Sequence, residues 1–147
     1  MRHCLTVSTM SLNLASLNAR GLRCRGRAAR TLRNLLQLDI DVCALQETHF
    51  TESRDERVFA GDFHVFSSYG TYQGRGVSLL VKRSLNAVVD VLFTDTDGRL
   101  VVADLKVDNS RFRVVSVYAP NTALERRSFF PTAGAFFGRS ETLDSNG

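Results

Sequence analysis

Apolar and polar positions change period several times along this chain, and each change marks an element. Residues 11–18 alternate: Leu12, Leu14 and Ser16 share one face, while Asn13, Ala15 and Leu17 share the other. A two-residue period predicts a strand, here ending at Asn18. Ala19-Arg20-Gly21-Leu22 then turns the chain. Over 26–38, Ala28, Leu32, Leu35 and Leu36 fall at i, i+4, i+7 and i+8, the stripe of an amphipathic helix. Arg27, Arg30, Arg33 and Asn34 lie off that stripe, and a solvated face is their simplest use. Val42-Cys43-Ala44-Leu45 follows with no turn former, as a fully buried strand does, and runs straight into Gln46-Glu47-Thr48-His49. Strand, helix and strand in that order predict a βαβ-like unit with its helix packed on a sheet.

Residues 51–61 are polar and loop-like, with room for a helical turn. Strands are then predicted over 63–69, 76–82, 87–93, 100–107 and 112–118. Asp97-Gly98 and Asp108-Asn109-Ser110 separate the last three as hairpin turns, so the middle of the chain is expected to be an antiparallel meander. Gly70, Gly74 and Gly76, set around Tyr69, Tyr72 and Arg75, suit a flexible hairpin tip and match no nucleotide-binding spacing. Pro120 and Asn121 end the last strand. A helix over 124–130 is expected to be cut short by Pro131, Gly134 and Gly138. The expected organisation is an extension at 1–10, one domain at 11–138 and a polar tail at 139–147.

Composition narrows the class. A chain of 147 residues that is 44% hydrophobic can build one globular domain with a real core. No run of about 18 apolar residues exists to span a membrane as a helix. Thr6, Ser8, Thr9, Ser11 and Asn13 interrupt the N-terminus, so a secretory signal is not expected. Three cysteines, Cys4, Cys24 and Cys43, with no C-x-x-C spacing, point to reduced thiols inside a cell. Cys43 reads as a small core residue. A net charge of +4 and a pI near 9.3 suit a polyanionic partner.

Three segments each end a predicted strand in polar residues: Leu17-Asn18-Ala19-Arg20-Gly21-Leu22, Leu45-Gln46-Glu47-Thr48-His49 and Val117-Tyr118-Ala119-Pro120-Asn121. Layered α/β proteins place their chemistry at such carboxyl ends. Together the three resemble the endonuclease/exonuclease/phosphatase superfamily, metal-dependent phosphodiesterases of the exonuclease III kind. Gly76-Val77-Ser78-Leu79-Leu80-Val81 and Gly98-Arg99 resemble its intervening strands. Thr48-His49-Phe50 and Tyr118-Ala119-Pro120-Asn121-Thr122 look like the endonuclease domain of LINE-type non-LTR retrotransposons, whereas repair enzymes more often carry Lys after the Thr.

The resemblance implies a DNase I-like α/β sandwich, two mixed sheets flanked by helices. The implied activity is Mg²⁺- (or Mn²⁺-) dependent nicking of DNA to leave a 3′-hydroxyl. In a retrotransposon-type protein, that end serves a downstream reverse transcriptase in the nucleus. An abasic-site repair endonuclease of the same superfamily is the first rival; a non-catalytic nucleic-acid-binding remnant is the second. By the same resemblance, Glu47 is the metal-binding carboxylate and Asn18 an amide that orients the metal shell and the phosphate. Tyr118 would clamp a phosphate oxygen, and Gln46 would brace Glu47. The residue types suit the task, because a hard cation takes carboxylate and water oxygens, and an amide offers donor and acceptor without charge. Arg20 and Arg23 could reach DNA phosphates, and His49 and Asn121 the DNA-facing rim.

Two family motifs are not found. No aliphatic strand ends in Asp-x-Asn, and no Ser-Asp-His occurs. Asp144-Ser145-Asn146 follows Arg139-Ser140-Glu141-Thr142 and reads as tail, while Asp108-Asn109 belongs to a hairpin. His3, His49 and His64 lie too early to be the water-activating histidine. The expectation is therefore the front part of a nuclease domain, with the C-terminal part of the fold missing and little activity of its own.

Overall fold

A computed structural model describes residues 10–137. His3, Cys4, the expected tail and Asp144-Ser145-Asn146 lie outside the described residues. Two sheets stack face to face. The first has strand order β1-β2-β4-β3, with β1 at Leu14–Asn18, β2 at Val42–Gln46, β3 at Phe63–Ser68 and β4 at Val77–Lys82. Only β1 and β2 run parallel, from Leu14 opposite Val42 to Asn18 opposite Gln46. The second sheet is antiparallel, order β5-β6-β7, with β5 at Val88–Thr94, β6 at Leu100–Val107 and β7 at Ser110–Val117. Helix α1, Arg25–Gln37, covers the outer face of the first sheet, and α2, Ala123–Gly134, that of the second. Among the described residues no helix is long and apolar enough to cross a membrane.

Helix α1 and the strand–helix–strand unit match the periodicity. The single meander does not. β3 and β4 form a hairpin that pairs with β2, and only β5, β6 and β7 meander. The reason is burial on both faces. Val77, Leu79 and Val81 of β4 point into the space between the sheets, against Val101, Ala103 and Leu105 of β6. Leu80 points the other way, into the core under α1 with Leu35, Cys43 and Leu45. A strand apolar on both sides needs a central place, where each fully buried aliphatic side chain contributes roughly 1.5–3 kcal/mol. The 3-10 turn Arg83–Leu85 and Asn86 at φ +52° then carry the chain to the other sheet.

Helix α2 also departs from expectation, since it continues through Pro131 to Gly134. Thr122 caps it, accepting a hydrogen bond from the Glu125 N–H at 3.3 Å. Phe129, Ala133 and Phe136 pack on Leu100, Val102, Val115 and Val117. Tertiary burial of that face outweighs the unfavourable proline. The Arg113 guanidinium, ion-paired with Asp104 at 2.7 Å, also donates to the Phe136 carbonyl and ties the helix end to the sheet.

The loop after β2 contains the 3-10 turn Ser53–Glu56, which buries an acid. Ser67 and Tyr69 favour the Glu56 carboxylate, while its Oε1 finds no partner. Burial raises its carboxyl above the ordinary range despite those two groups, and the charge of Asp55 adds to the rise. Burial and Glu56 together push the Tyr69 hydroxyl up to about 12. An acid that ionises less readily when folded costs stability as pH rises above its unfolded pKa, and costs nothing below it. Glu56→Gln should therefore raise the melting temperature at pH 7. Its melting curve should merge with that of the parent as pH falls below about 4. Circular dichroism melts across pH check this, and an equal or lower melting temperature at pH 7 would contradict it.

Candidate active site

Beyond their last paired residues, five segments continue as one backbone hydrogen-bond relay. The Ala19 N–H donates to Gln46 O at 2.8 Å, Gly21 N–H to Glu47 O at 2.7 Å and Leu22 N–H to Thr48 O at 2.8 Å. On the other side, Thr48 and His49 N–H donate to Gly76 O and Arg75 O, both at 3.0 Å. Gly76 N–H then reaches Gly98 O at 2.9 Å, and Tyr118 N–H reaches Arg99 O at 2.8 Å. The relay demands close approach. A Cβ on Gly76 would lie 2.5 Å from Thr48 Oγ1, and one on Gly98 would lie 2.7 Å from Gly76 N. Both glycines also have positive φ, +87° and +71°.

This frame brings together the three strand ends picked out in the sequence. Glu47 follows β2 with φ +51°, a left-handed conformation uncommon outside glycine. Asn18 ends β1 opposite Gln46, exposed, and its Oδ1 accepts the Arg20 N–H at 3.2 Å. Tyr118 follows β7, and its hydroxyl interacts with both Glu47 and Asn121. Burial raises that hydroxyl above its ordinary pKa, Glu47 raises it further, and Asn121 and Arg99 oppose the rise. The Arg99 guanidinium lies 5.7 Å from the Tyr118 ring centroid and donates to the Tyr118 carbonyl at 3.4 Å.

Other expected residues are placed differently. Gln46 does not turn toward Glu47: its amide bonds with Ser16 Oγ at 3.2 Å and with the Ala44 carbonyl at 3.2 Å. Both ends of its amide group are engaged at Ser16 and Ala44, so Gln46 does not brace Glu47. Arg23 is already engaged, ion-paired with Asp55 at 3.4 Å and stacked 4.0 Å over the Tyr72 ring. Asp55 also accepts from the Thr51 N–H at 2.8 Å; burial opposes its ionisation, but Thr51 and Arg23 prevail and lower its pKa. His49 is half-buried, with Gly21 beneath its ring, and not in open solvent. Arg20 and Asn121 are exposed.

Arg99 was not singled out as a site residue from the sequence. It is 9% exposed and borders, with Arg75, Asp95, Pro120, Glu125 and Phe129, a cleft of about 270 Å³ beside Tyr118. Its signal was an arginine opening a wholly apolar run, Leu100-Val101-Val102-Ala103, where a turn residue was expected. Asp95 secures that turn, its Oδ1 accepting from Arg99 N–H at 3.0 Å, Leu100 N–H at 2.9 Å and Ser68 Oγ at 2.5 Å.

As donors for a divalent cation, Glu47 and Asn18 are right in kind, since both offer hard oxygens. They are few: among the described residues no three His, Cys, Asp or Glu side chains gather to hold a metal ion. A cation held by so few protein oxygens takes the rest of its shell from waters and substrate phosphates.

The fold and the strand-end site define a class, and the sequence agrees with it. The chain belongs to the Endonuclease/Exonuclease/phosphatase family, whose model matches residues 10–141. It is 31% identical over 140 residues to the Transposon TX1 uncharacterized 149 kDa protein of Xenopus laevis, covering 93% of this chain and 10% of that protein. The endonuclease domain of TRAS1, a telomere-specific non-LTR retrotransposon, superposes with a TM-score of 0.64 at 15% identity, covering 84% of this chain and 52% of that one. The AP endonuclease LMAP of Leishmania major gives 0.62 at 19%, covering 84% and 46%. The DNase I-like sandwich is thus shared, and this chain spans about half of either solved structure and a tenth of the transposon protein.

The contact between Tyr118 and Glu47 has a measurable signature. In Glu47→Gln the acceptor charge is lost, so the Tyr118 hydroxyl should ionise at lower pH than in the parent. Burial should still hold it above its ordinary value. Ring NMR shifts of Tyr118 through a pH titration read the midpoint directly. A midpoint that does not move would separate the two side chains.

Proposed function

We propose that this domain hydrolyses phosphodiester bonds in DNA, as the nicking domain of a retrotransposon-type protein. The observation that carries this is the meeting of Asn18, Glu47 and Tyr118, from three distant parts of the chain, on one backbone relay. The transposon protein that matches 93% of the chain supports the retrotransposon setting. In that setting the partner is a reverse transcriptase on the same polypeptide, and the compartment is the nucleus.

Glu47 and Asn18 would hold a Mg²⁺ ion, which when bound supplies Lewis-acid neutralisation of the phosphoryl charge. The side chains of this chain bind and position the phosphate. The Tyr118 hydroxyl, which interacts with Glu47, would donate to a phosphate oxygen. Asn18 Oδ1 accepts the Arg20 N–H with one lone pair, which leaves the other for the cation and the N–H₂ for the phosphate. Arg99, buried behind Tyr118, keeps that ring and its strand end in place. Water attacks phosphorus, the bond from phosphorus to the 3′ oxygen breaks, and the proton passes to that oxygen, leaving a 3′-hydroxyl and a 5′-phosphate.

The sequence carries no Ser-Asp-His and no aliphatic strand ending in Asp-x-Asn, the motifs that supply the water-activating histidine in the family it resembles. Loss of a general base typically costs about 10²- to 10⁴-fold in rate. Nicking of supercoiled plasmid by the 147-residue chain should therefore be slower by at least about that factor than by a version lengthened to carry both motifs. In both proteins, any Mg²⁺-dependent nicking should vanish in Glu47→Ala. Activity that survives Glu47→Ala would remove Glu47 from the site. Preferential cutting of a duplex with an abasic site would shift the assignment to a repair-type enzyme.

A further inference from the structure

Charge is unevenly spread along the chain. The first 38 residues contain seven arginines and no Asp or Glu, whereas the remaining 109 contain 12 basic and 15 acidic residues. All of the net positive charge therefore belongs to the β1–α1 portion. Within it, Arg23 is committed to Asp55 and Tyr72, and Arg27 turns back onto the Arg20 and Gly21 carbonyls. Arg25, Arg30 and Arg33 are exposed, and among the described residues none of them makes an ion pair or a side-chain hydrogen bond.

Their placement follows from the helix. Ala28 and Leu35 are buried against the first sheet. At about 100° per residue, Arg30 and Arg33 face directly away from them, and Arg25 flanks them at the first turn. The row runs about 12 Å along α1. A helix face that served only solubility would mix signs, with acids three or four residues from each arginine. Here the first turn has no acid, and the nearest one beyond the helix, Asp39, is held by Lys82. The N-cap thiol of Cys24 senses this field: the Arg27 and Gly26 backbone N–H groups lower its pKa, and the charges of Arg27 and Arg30 add to that.

We propose that the outer face of α1 is a second nucleic-acid contact, in which Arg25, Arg30 and Arg33 grip the phosphodiester backbone of duplex DNA apart from the strand at Glu47. Guanidinium forks match phosphate oxygens and stay charged, and the chain uses 17 arginines against two lysines. The grip is rigidly joined to the cleavage site, because the turn leading into α1 is hydrogen-bonded to Glu47 and Thr48. A second attachment of this kind holds DNA near the site without reading its sequence. The choice of DNA rests on the function proposed above; the arginine row does not.

Binding in EDTA, with cleavage switched off, tests it. A short fluorescent duplex is titrated with the parent, with Arg25→Gln/Arg30→Gln/Arg33→Gln, and with a charge-matched control, Arg57→Gln/Arg111→Gln/Arg127→Gln. The α1 triple should weaken binding at least about tenfold and cut the log–log salt slope by about 2.7, at roughly 0.9 per lost phosphate contact. The control should change affinity less than about threefold. Lysines at the three α1 positions should restore the slope, which a folding defect would not allow. Equal losses in both triples, or an unchanged slope, would overturn the proposal. A single-stranded RNA of the same length is the second arm, and a loss seen for RNA but not for the duplex overturns the choice of DNA. Plasmid nicking with Glu47→Ala fails or succeeds independently of these titrations, so the two proposals fall separately.

Discussion

The site depends on the hydrogen-bond relay that runs past the ends of the strands. Parallel pairing of β1 and β2 would by itself stop at Asn18 and Gln46. Continued pairing of Ala19–Leu22 with the Gln46–Thr48 carbonyls holds the polar residues that follow as firmly as a strand. From Thr48 the relay crosses to Gly76 and Gly98, which link the two sheets where no strands pair. It leaves no room for side chains at its crossings, and that is why those two positions are glycine. Left-handed φ at Glu47 and His49 is the local cost of the path. Such strain persists only where the surroundings over-determine it, as the bonds on both sides do here.

Packing supplies the other half of the constraint. β4 and β6 are buried on both faces and act as the spines of the two sheets. Their shared core fixes how the sheets face, and hence that the end of β7 meets the end of β2. Glu47 and Tyr118 are close because Val77, Leu79 and Val81 fill the space opposite Val101, Ala103 and Leu105, not because their own side chains attract. An exposed salt bridge could not do this work, since such pairs contribute only about 0–1 kcal/mol.

Around this rigid centre, half-buried carboxylates each hold one loop. Asp95 satisfies the turn that delivers Arg99, and Asp55 the loop after Glu47. Glu56 differs, an acid buried among the described residues with one unpaired oxygen. A row of exposed arginines lies to the flank, on α1.

Periodicity determined the local elements of this protein. The alternation before Asn18, the leucine stripe of α1 and the Asp108-Asn109 turn, closed by the pairing of Val107 with Ser110, all read directly from the chain. The three strand ends could be picked out for the same reason, since each is an apolar run passing into polar residues; the choice of Asn18, Glu47 and Tyr118 within them came from the family resemblance. What the sequence could not decide was which strands pair, because the alternation of β3 to β7 looks the same in one meander as in two sheets. Nor could it show that Gln46 faces Ser16, that α2 passes through Pro131, or that Arg99 backs Tyr118. Those outcomes turn on contacts between residues far apart in the chain, where burial of a shared core outweighs the local preference of any single residue.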